Sequence, residues 1–367
     1  MRSFNLLSAF ARRAEVSVLS FGDGDRELPL PGGEGIAVRT VASGIGGRLR
    51  ANLGHPAARL PAQVRMFLDA AMKTAVVEEL RRFEPDVVHL MLARMGPYLP
   101  PPGQAHRHVD LTDSLSLNMA TRAARTGQPT KLPIQIEARL MQRYEARLVT
   151  LADSSSVVSA ADREVPGLER AEVVPNGVDL EAFPFSEPTD RPPVALFFGN
   201  LGYFHNVEPA TLLAREVAPL IQRQGGGRLR IAGARPGRPV RQLAELDGVE
   251  LAADVVDMAA ELHSASVALL PSFSGSGIKN KVLESFCAGL PVIANRLGVQ
   301  GVEGAEPGTH YVAAETPAEM AAAASSLMSD REARVRLARE ARDLIAARYT
   351  WEAQADALER LYERRAA

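Results

Sequence analysis

Twice along this chain, short apolar runs rich in β-branched and aromatic residues alternate with longer stretches of helical periodicity. That alternation marks strand–helix units laid on a parallel sheet, and it sets aside all-helical and all-β folds. In the first series, residues 4–11 have helical spacing. Residues 15–21, 85–90, 108–111, 154–159 and 172–174 read as strands, and residues 61–83 and 132–152 as amphipathic helices. Residues 184–193 then hold four prolines in ten positions, which predicts a linker. The alternation restarts after it. Strands are expected at 194–198, 228–232, 249–252, 266–270 and 291–294. Helices are expected at 209–222, 258–264, 278–288, 317–329 and 331–349, with a last one at 351–365. The architecture this predicts is α/β, with two Rossmann-like doubly wound domains in tandem. The first covers 1–182, the second 183–348, and 349–367 is a terminal helix.

Size and charge agree with that plan. A chain of 367 residues exceeds one ordinary core. A net charge of −2 argues against a nucleic-acid partner, which selects strongly basic domains. One cysteine, Cys287, excludes an internal disulfide framework and a cysteine-rich metal site, and it fits a reducing cytoplasm. No run of about 18 apolar residues predicts a spanning helix, and the first residues do not form a signal peptide.

In open parallel sheets, ligands bind beyond the carboxyl ends of strands. The sharpest such place runs from Leu269 through Pro271-Ser272-Phe273-Ser274-Gly275-Ser276-Gly277-Ile278-Lys279-Asn280-Lys281 to Glu284. A strand stops at Pro271, a Ser/Gly loop follows, and a helix is expected to start near Gly277. Glycines let backbone N–H groups approach a phosphate, and a helix N-terminus adds about half a positive charge. Lys279 and Lys281 place cations in the first turn, where the dipole disfavours them unless an anion arrives. Glu284 lies one turn on, on the face of Asn280 and Lys281, where a carboxylate can accept hydrogen bonds from a ribose diol. The plain alternative is a solvated loop, an ordinary helix start and a surface glutamate. Spacing alone leaves both open.

Several motifs, in order, resemble glycosyltransferase family 4. The run Gly275-x-Gly277-Ile278-Lys279-Asn280-Lys281-Val282-Leu283-Glu284, continued by Ala288-Gly289-Leu290-Pro291-Val292-Ile293-Ala294, resembles the donor site of a bacterial branch of that family. Val174-Pro175-Asn176-Gly177-Val178-Asp179 resembles its interdomain turn. Leu196-Phe197-Phe198-Gly199-Asn200 with His205-Asn206-Val207 resembles the first strand and loop of its C-terminal domain. Ile231-Ala232-Gly233, residues 299–304 and Tyr349-Thr350-Trp351 match later pieces, and residues 110–116 match an N-domain motif. The resemblance implies the GT-B fold, two Rossmann-like domains facing a cleft, with the last helix crossing back to the first domain. It also implies transfer of a sugar from a nucleotide-diphosphate sugar to a glycan or lipid-linked acceptor. Retention of configuration, no metal, and a role in cell-surface or exopolysaccharide synthesis go with it. The donor is a substrate, so no cofactor is expected.

Carried over residue by residue, Glu284 takes the family's ribose-holding glutamate. Backbone amides at Gly275, Ser276, Gly277 and Ile278 take donor phosphate or sugar, with Gly199, Asn200 and Asn280 beside them. Ser276 stands where the family has its other signature glutamate, which leaves the sugar open. The family's basic residues in the loop after the first C-domain strand are absent from residues 199–206. Lys279 is the candidate for the missing diphosphate charge, with Lys281 next. Base recognition would fall on residues 253–257, where Asp257 is otherwise a helix N-cap. In the N-terminal half, His89 at a strand end is a catalytic candidate against a purely structural role. Asp110 and Asp113 could orient the acceptor, with Asp113 equally a turn residue.

Five arginines and no acid from residue 35 to 68 (Arg39, Arg48, Arg50, Arg59, Arg65), with Arg139, Arg143 and Arg147 at four-residue spacing, fit peripheral contact with anionic membrane at its cytoplasmic face. A solvated basic face is the alternative. Two rival functions remain at this stage: an inactive GT-B-like binding protein, and a sugar-nucleotide epimerase. Arg2-Ser3-Phe4-Asn5-Leu6 resembles a family helix that follows a first strand and a Gly-rich loop. The N-domain is therefore expected to lack its first strand, and the chain to gain stability and activity when extended upstream.

Overall fold

In the computed structural model the structure describes residues 2–28, 35–42, 60–124, 127, 129–189, 192–273 and 277–363. The chain divides into two compact units. One is Met1–Pro175 together with Trp351–Ala367, and the other is Asn176–Thr350.

The first unit opens on α1 (Arg2–Phe10), followed by β1 (Val18–Phe21), β2 (Arg26–Leu28) and β3 (Ile36–Val41). β3 pairs in parallel with β1 and antiparallel with β2. The short α2 (Ala62–Arg65) and the longer α3 (Ala70–Phe83) come next. A second sheet holds β4 (Val87–Met91), β5 (His106–Asp110), β6 (Ser154–Val157) and β7 (Glu172–Val173), parallel and in chain order. Between β5 and β6 lie α4 (Leu115–Ala124) and α5 (Lys131–Leu151), and α6 (Ala160–Arg163) precedes β7. Among the described residues β1 and β4 do not pair. The two sheets still share one core, in which Leu19, Phe21 and Val41 pack with Leu90, Val109 and Val157.

The single helix expected over 61–83 is broken. Asp69 caps α3 by accepting from the backbone N–H groups of Ala71 (2.8 Å) and Met72 (3.2 Å). The Tyr98 hydroxyl pins the break, accepting from Asp69 N (2.9 Å) and donating to the Phe67 carbonyl. Helical spacing continues across the break because residues on both sides face apolar surface, so periodicity alone hides it.

The second unit contains β8 (Val194–Phe198), α7 (Phe204–Leu212), α8 (Ala218–Gly225), β9 (Arg228–Gly233), α9 (Arg238–Arg241), β10 (Val249–Ala253), α10 (Met258–Ser264), β11 (Val267–Leu269), α11 (Asn280–Ala288), β12 (Val292–Ala294), β13 (Val312–Ala313), α12 (Pro317–Ser329) and α13 (Arg331–Arg348). Its six strands are all parallel, in the order β10-β9-β8-β11-β12-β13. This is the doubly wound order in which the winding reverses between β8 and β11. Every residue of β8, β11 and β12 is buried, as parallel strands covered on both faces require. A π turn (Leu213–Val217) joins α7 to α8, so the helix begins five residues before the expected Pro209 and carries that proline inside it.

The proline-rich stretch is not a free linker. His263 bonds the Pro184 carbonyl (2.8 Å), Ser186 N donates to the Ala288 carbonyl (3.1 Å), and Arg334 donates to that of Thr189 (3.1 Å). Ser266 donates to the Pro192 carbonyl (2.7 Å). The division falls earlier, between Pro175 and Asn176. The chain's last described helix, α14 (Trp351–Glu363), returns to the first unit. There Trp351, Leu358 and Leu361 pack with Leu6 and Val174, and Arg13 pairs with Asp356 and Glu359. No described helix is long and apolar enough to cross a membrane.

Candidate functional site

The switch point of the second sheet gathers two loops. After β8 comes Gly199, whose φ of +140° lies in the region that favours glycine. A Cβ on the neighbouring Gly233 would sit 1.8 Å from the Gly199 carbonyl oxygen, so the two strand ends touch backbone to backbone. Asn200 then turns the chain. Its side chain accepts from Gly202 N (3.1 Å), and its carbonyl accepts from Asn206 Nδ2 (2.7 Å). The loop after β11 is tied to the next strand by Asn295, which accepts from Ser272 N (3.0 Å) and donates to the Ser272 carbonyl (2.9 Å). Gly277 (φ +74°) and buried Ile278 follow, packed so closely that a Cβ on Gly301 would lie 2.9 Å from Ile278 Cα.

α11 begins at Asn280, not near Gly277, and Lys279 occupies its N-cap position without a side-chain capping bond. Lys279 therefore lies outside the first turn, and Lys281 lies within it. Asn280 Oδ1 accepts from Asn176 Nδ2 (3.0 Å), which attaches the turn after β7 to this helix end. Lys281 is the residue that joins the two loops. Its stem runs where Gly199 has no side chain, since a Cβ there would meet Lys281 Cε at 2.7 Å. Its ammonium donates to Asn206 Oδ1 (2.6 Å) and lies 4.3 Å from the centroid of the Phe197 ring. Among the described residues no carboxylate lies within ion-pair distance of it.

Burial pulls the Lys281 amine down to about 7, with Glu284 acting against that and Lys279 with it. Burial pushes the Glu284 carboxyl up to about 7, opposed by Lys281. A pair that is costly to charge in the free protein suits a site completed by a charged ligand.

The expected donor residues Gly199, Asn200, Gly277, Ile278, Lys279, Asn280 and Glu284 thus sit on the two loops and on α11. Gly275 and Ser276 lie outside the described residues. Sequence reasoning ranked Lys281 second, passed over Asn206 except as part of a motif, and missed Asn295. Their signal was the pairing of β8 with β11, which no local pattern reveals. In the loop expected to recognise the base, Asp257 accepts from Ala260 N (3.0 Å) and is the N-cap of α10. Asp254 accepts from Arg235 N (2.8 Å), and Val256 is fully exposed. Cys287 is buried against the carbonyls of Asp179 and Phe183, and burial pushes its thiol up to about 11, which makes it inert.

The first unit carries a different cluster. His89 is the middle residue of β4, not its end. Its Nδ1 bonds the Tyr362 hydroxyl (2.7 Å), and its Nε2 has no hydrogen-bond partner among the described residues, with Asp110 Oδ2 3.8 Å away. Asp110 is fully buried and paired with Arg2 Nε (2.8 Å), so it holds α1 in place. Burial pushes its carboxyl up, but Arg2, His89 and His108 outweigh that and hold it low. Asp113 lies between β5 and α4, and the Asp110 carboxylate is 3.8 Å from His89 Nε2. His106 and His108 both bond Ser154 Oγ (2.7 Å each), and His108 Nε2 bonds Ser156 Oγ (3.0 Å). The rings of His89, His106 and His108 all pack around Tyr362.

Burial lowers all three histidines, His108 furthest, since His89 and His106 also repel its charge. Their unfolded forms take protons first, near 6.5. Stability from this cluster is therefore complete above that pH and is lost as pH falls below it, by up to about 1.4 kcal/mol per pH unit for each ring that stays neutral. The protection factors of β5 amides, which correct for the slower intrinsic exchange at lower pH, should fall between about pH 6.5 and 5, and His108→Gln should reduce that dependence. A flat profile in the unaltered protein refutes the assignment.

Residues 192–330 match the family model described as "Glycosyl transferases group 1". A glycogen synthase of Mycobacterium tuberculosis is 29% identical over 251 residues, covering 61% of this chain and 57% of that enzyme, so the chain spans little more than half of it. Among solved structures, the sucrose-phosphate synthase of Thermosynechococcus elongatus superposes with a TM-score of 0.71 at 15% identity, over 98% of this chain and 91% of that one. Anabaena Alr3699/HepE, solved in complex with UDP and glucose, superposes with a TM-score of 0.65 at 14% identity, over 99% and 95%. The fold is GT-B, and the second unit contains the stretch that matches the glycosyltransferase group 1 model.

Proposed function

We propose that the chain is a nucleotide-sugar-dependent glycosyltransferase whose second unit holds the donor. The observation that carries this is Lys281, enclosed at the switch point between Gly199 and Asn206, one turn before Glu284. In this reading the diphosphate lies at the N-terminus of α11, and Glu284 accepts from the ribose. As the glycosidic bond breaks, the leaving diphosphate gains negative charge. The fixed N–H groups and Lys281 stabilise that charge more than they stabilise the ground state. Retention of configuration, independence of metal, and a glycan or lipid-linked acceptor in surface polysaccharide synthesis belong to the same proposal. His89 is better suited to holding Tyr362 than to catalysis, and Asp113 stays the N-domain candidate for orienting the acceptor. Lys279 is retained as a secondary charge.

A panel of UDP-, GDP-, ADP- and CDP-sugars tests this by thermal shift. A ligand at one hundred times its Kd should add about 2.7 kcal/mol, or roughly 5–10 °C for a unit of this size. Glu284→Ala should reduce that shift by more than half without lowering the melting temperature of the free protein. The absence of any shift across the panel sinks the reading. Slow donor hydrolysis separates an active transferase from a protein that binds without transfer.

We further propose that α5 faces anionic lipid. Leu132 and Ile136 are large apolar residues more than half-exposed or close to it (56% and 50%), in line with exposed Arg139, Arg143 and Arg147. Of the other basic stretch, Arg39 is paired with Glu78 and Glu79, while Arg48, Arg50 and Arg59 lie outside the described residues. Sedimentation with phosphatidylglycerol vesicles, but not phosphatidylcholine vesicles, is expected, and the triple Arg→Glu variant should lose it. Equal binding to both vesicles contradicts this surface.

A further inference from the structure

An ammonium has three N–H donors. Lys281 spends one on a neutral amide, Asn206 Oδ1, and rests against an aromatic face. The groups around it are few. From α11, Lys279 repels its charge and Glu284 attracts it. β8 contributes Phe197 and Gly199, neither of them charged. The first turn of α7, which carries Asn206, also carries His205, whose ring lies 4.8 Å from that of Tyr203. Residues 274–276 lie outside the described residues, and their sequence, Ser-Gly-Ser, holds no titratable side chain. Behind Glu284 stands Cys287, with Arg342 on its sulfur (2.8 Å) and Asp179 beyond. The enclosure is shaped for a lysine stem yet holds no permanent counter-charge within ion-pair reach among the described residues.

We infer that a nucleoside diphosphate enters this site together with a proton, which Lys281 takes up as the anion arrives. The inference rests on the donor-site reading above and adds a regulatory property to it. In the free protein burial holds the amine down near 7, so above that pH it is largely uncharged. A diphosphate placed against it supplies the missing counter-charge and restores the ordinary ammonium. The proton comes from solvent, and no covalent bond changes. Binding should therefore weaken as pH rises above about 7, with a slope approaching tenfold per pH unit. Below that pH the lysine is already charged and the slope fades. Glu284, also raised by burial, would be pushed further up by the same anion, so its share must be separated from that of Lys281.

Titration calorimetry on the full chain makes the test, using whichever of UDP, GDP, ADP and CDP binds most tightly. At about pH 8, well above the phosphate's own titration near 6, heats in Tris and in phosphate buffer should differ by the ionisation heat of half to one proton. Affinity should fall about fivefold to tenfold from pH 8 to 9. Glu284→Gln should keep the uptake, and Lys281→Arg, which stays charged, should lose it. Equal heats in the two buffers with flat affinity overturn the inference and leave the donor site standing. Uptake lost in Glu284→Gln but kept in Lys281→Arg assigns the proton to Glu284 and overturns the role of Lys281. No binding by any of the four overturns the inference and the donor-site reading together.

Discussion

Lys281→Met should weaken nucleoside diphosphate binding by about 30- to 200-fold while leaving binding of the corresponding nucleoside, which lacks the phosphates, unaffected. The loss corresponds to about 2–3 kcal/mol, the range for a hydrogen bond to a charged group in a partly desolvated site. The same substitution should stabilise the free second unit. Burial carries the amine from 10.5 down to about 7, and each unit of such a shift is about 1.4 kcal/mol of penalty on the charged form. A methionine of similar length avoids that penalty. It sacrifices the bond to Asn206 and the contact with Phe197, so a net gain of about 1–2 kcal/mol is expected near neutral pH. The sign follows from linkage. The folded pKa is depressed, so the unfolded chain binds the proton more readily and the penalty deepens as pH falls from 10.5 towards 7. A thermal melt at about pH 7 and a titration with the tightest-binding of the four nucleoside diphosphates read the two effects separately. A variant that binds normally, or one that is destabilised, refutes the role given to this lysine.

Gly233→Ala should cost the second unit about 3 kcal/mol or more, lowering its melting temperature by roughly 6–12 °C. The reason is spatial and conformational at once. A Cβ would fall 1.8 Å from the Gly199 carbonyl oxygen, a backbone atom that no rotamer change can move aside. The φ of +144° also strains any residue with a side chain. To relieve the clash β8 and β9 must separate at their carboxyl ends, and Gly199 must shift away from Lys281. Donor binding should fall with stability. Gly225→Ala is the control, since nothing lies near its Cβ position. If Gly233→Ala melts like Gly225→Ala, the strand ends are not packed as described.

The legible parts of this chain are those written in local pattern. Val194–Phe198, Val267–Leu269 and Val292–Ala294 are unbroken apolar runs, and only a strand covered on both faces needs such runs. Asp257 before an apolar-periodic segment reads directly as a cap. The unread parts depend on contacts between distant residues. The break at residues 66–69 is held by a tyrosine hydroxyl 31 residues on from Phe67. The proline stretch reads as a linker because its anchors, His263, Ser266 and Arg334, follow it by 70 residues or more. The proposed site was legible as a loop followed by a helix, with Glu284 offered as its carboxylate. Choosing Lys281 over Lys279 required knowing that α11 starts at Asn280, and that β11 lies beside β8. His89 looked like a strand-end residue because nothing local marks Tyr362 as its partner.

The return of α14 to the first unit bears on how the protein is made. A ribosome releases the chain from its N-terminus, so β1 to β7 emerge early, yet the helix that seals Leu6 and the three imidazoles is synthesised only after the whole second unit. The second unit is one uninterrupted segment, complete once Thr350 has cleared the exit tunnel. Maturation therefore runs inside out. The intervening unit draws on no residue beyond Thr350, whereas the leading unit stays incomplete until the stretch that brings Tyr362 to His89 has been made.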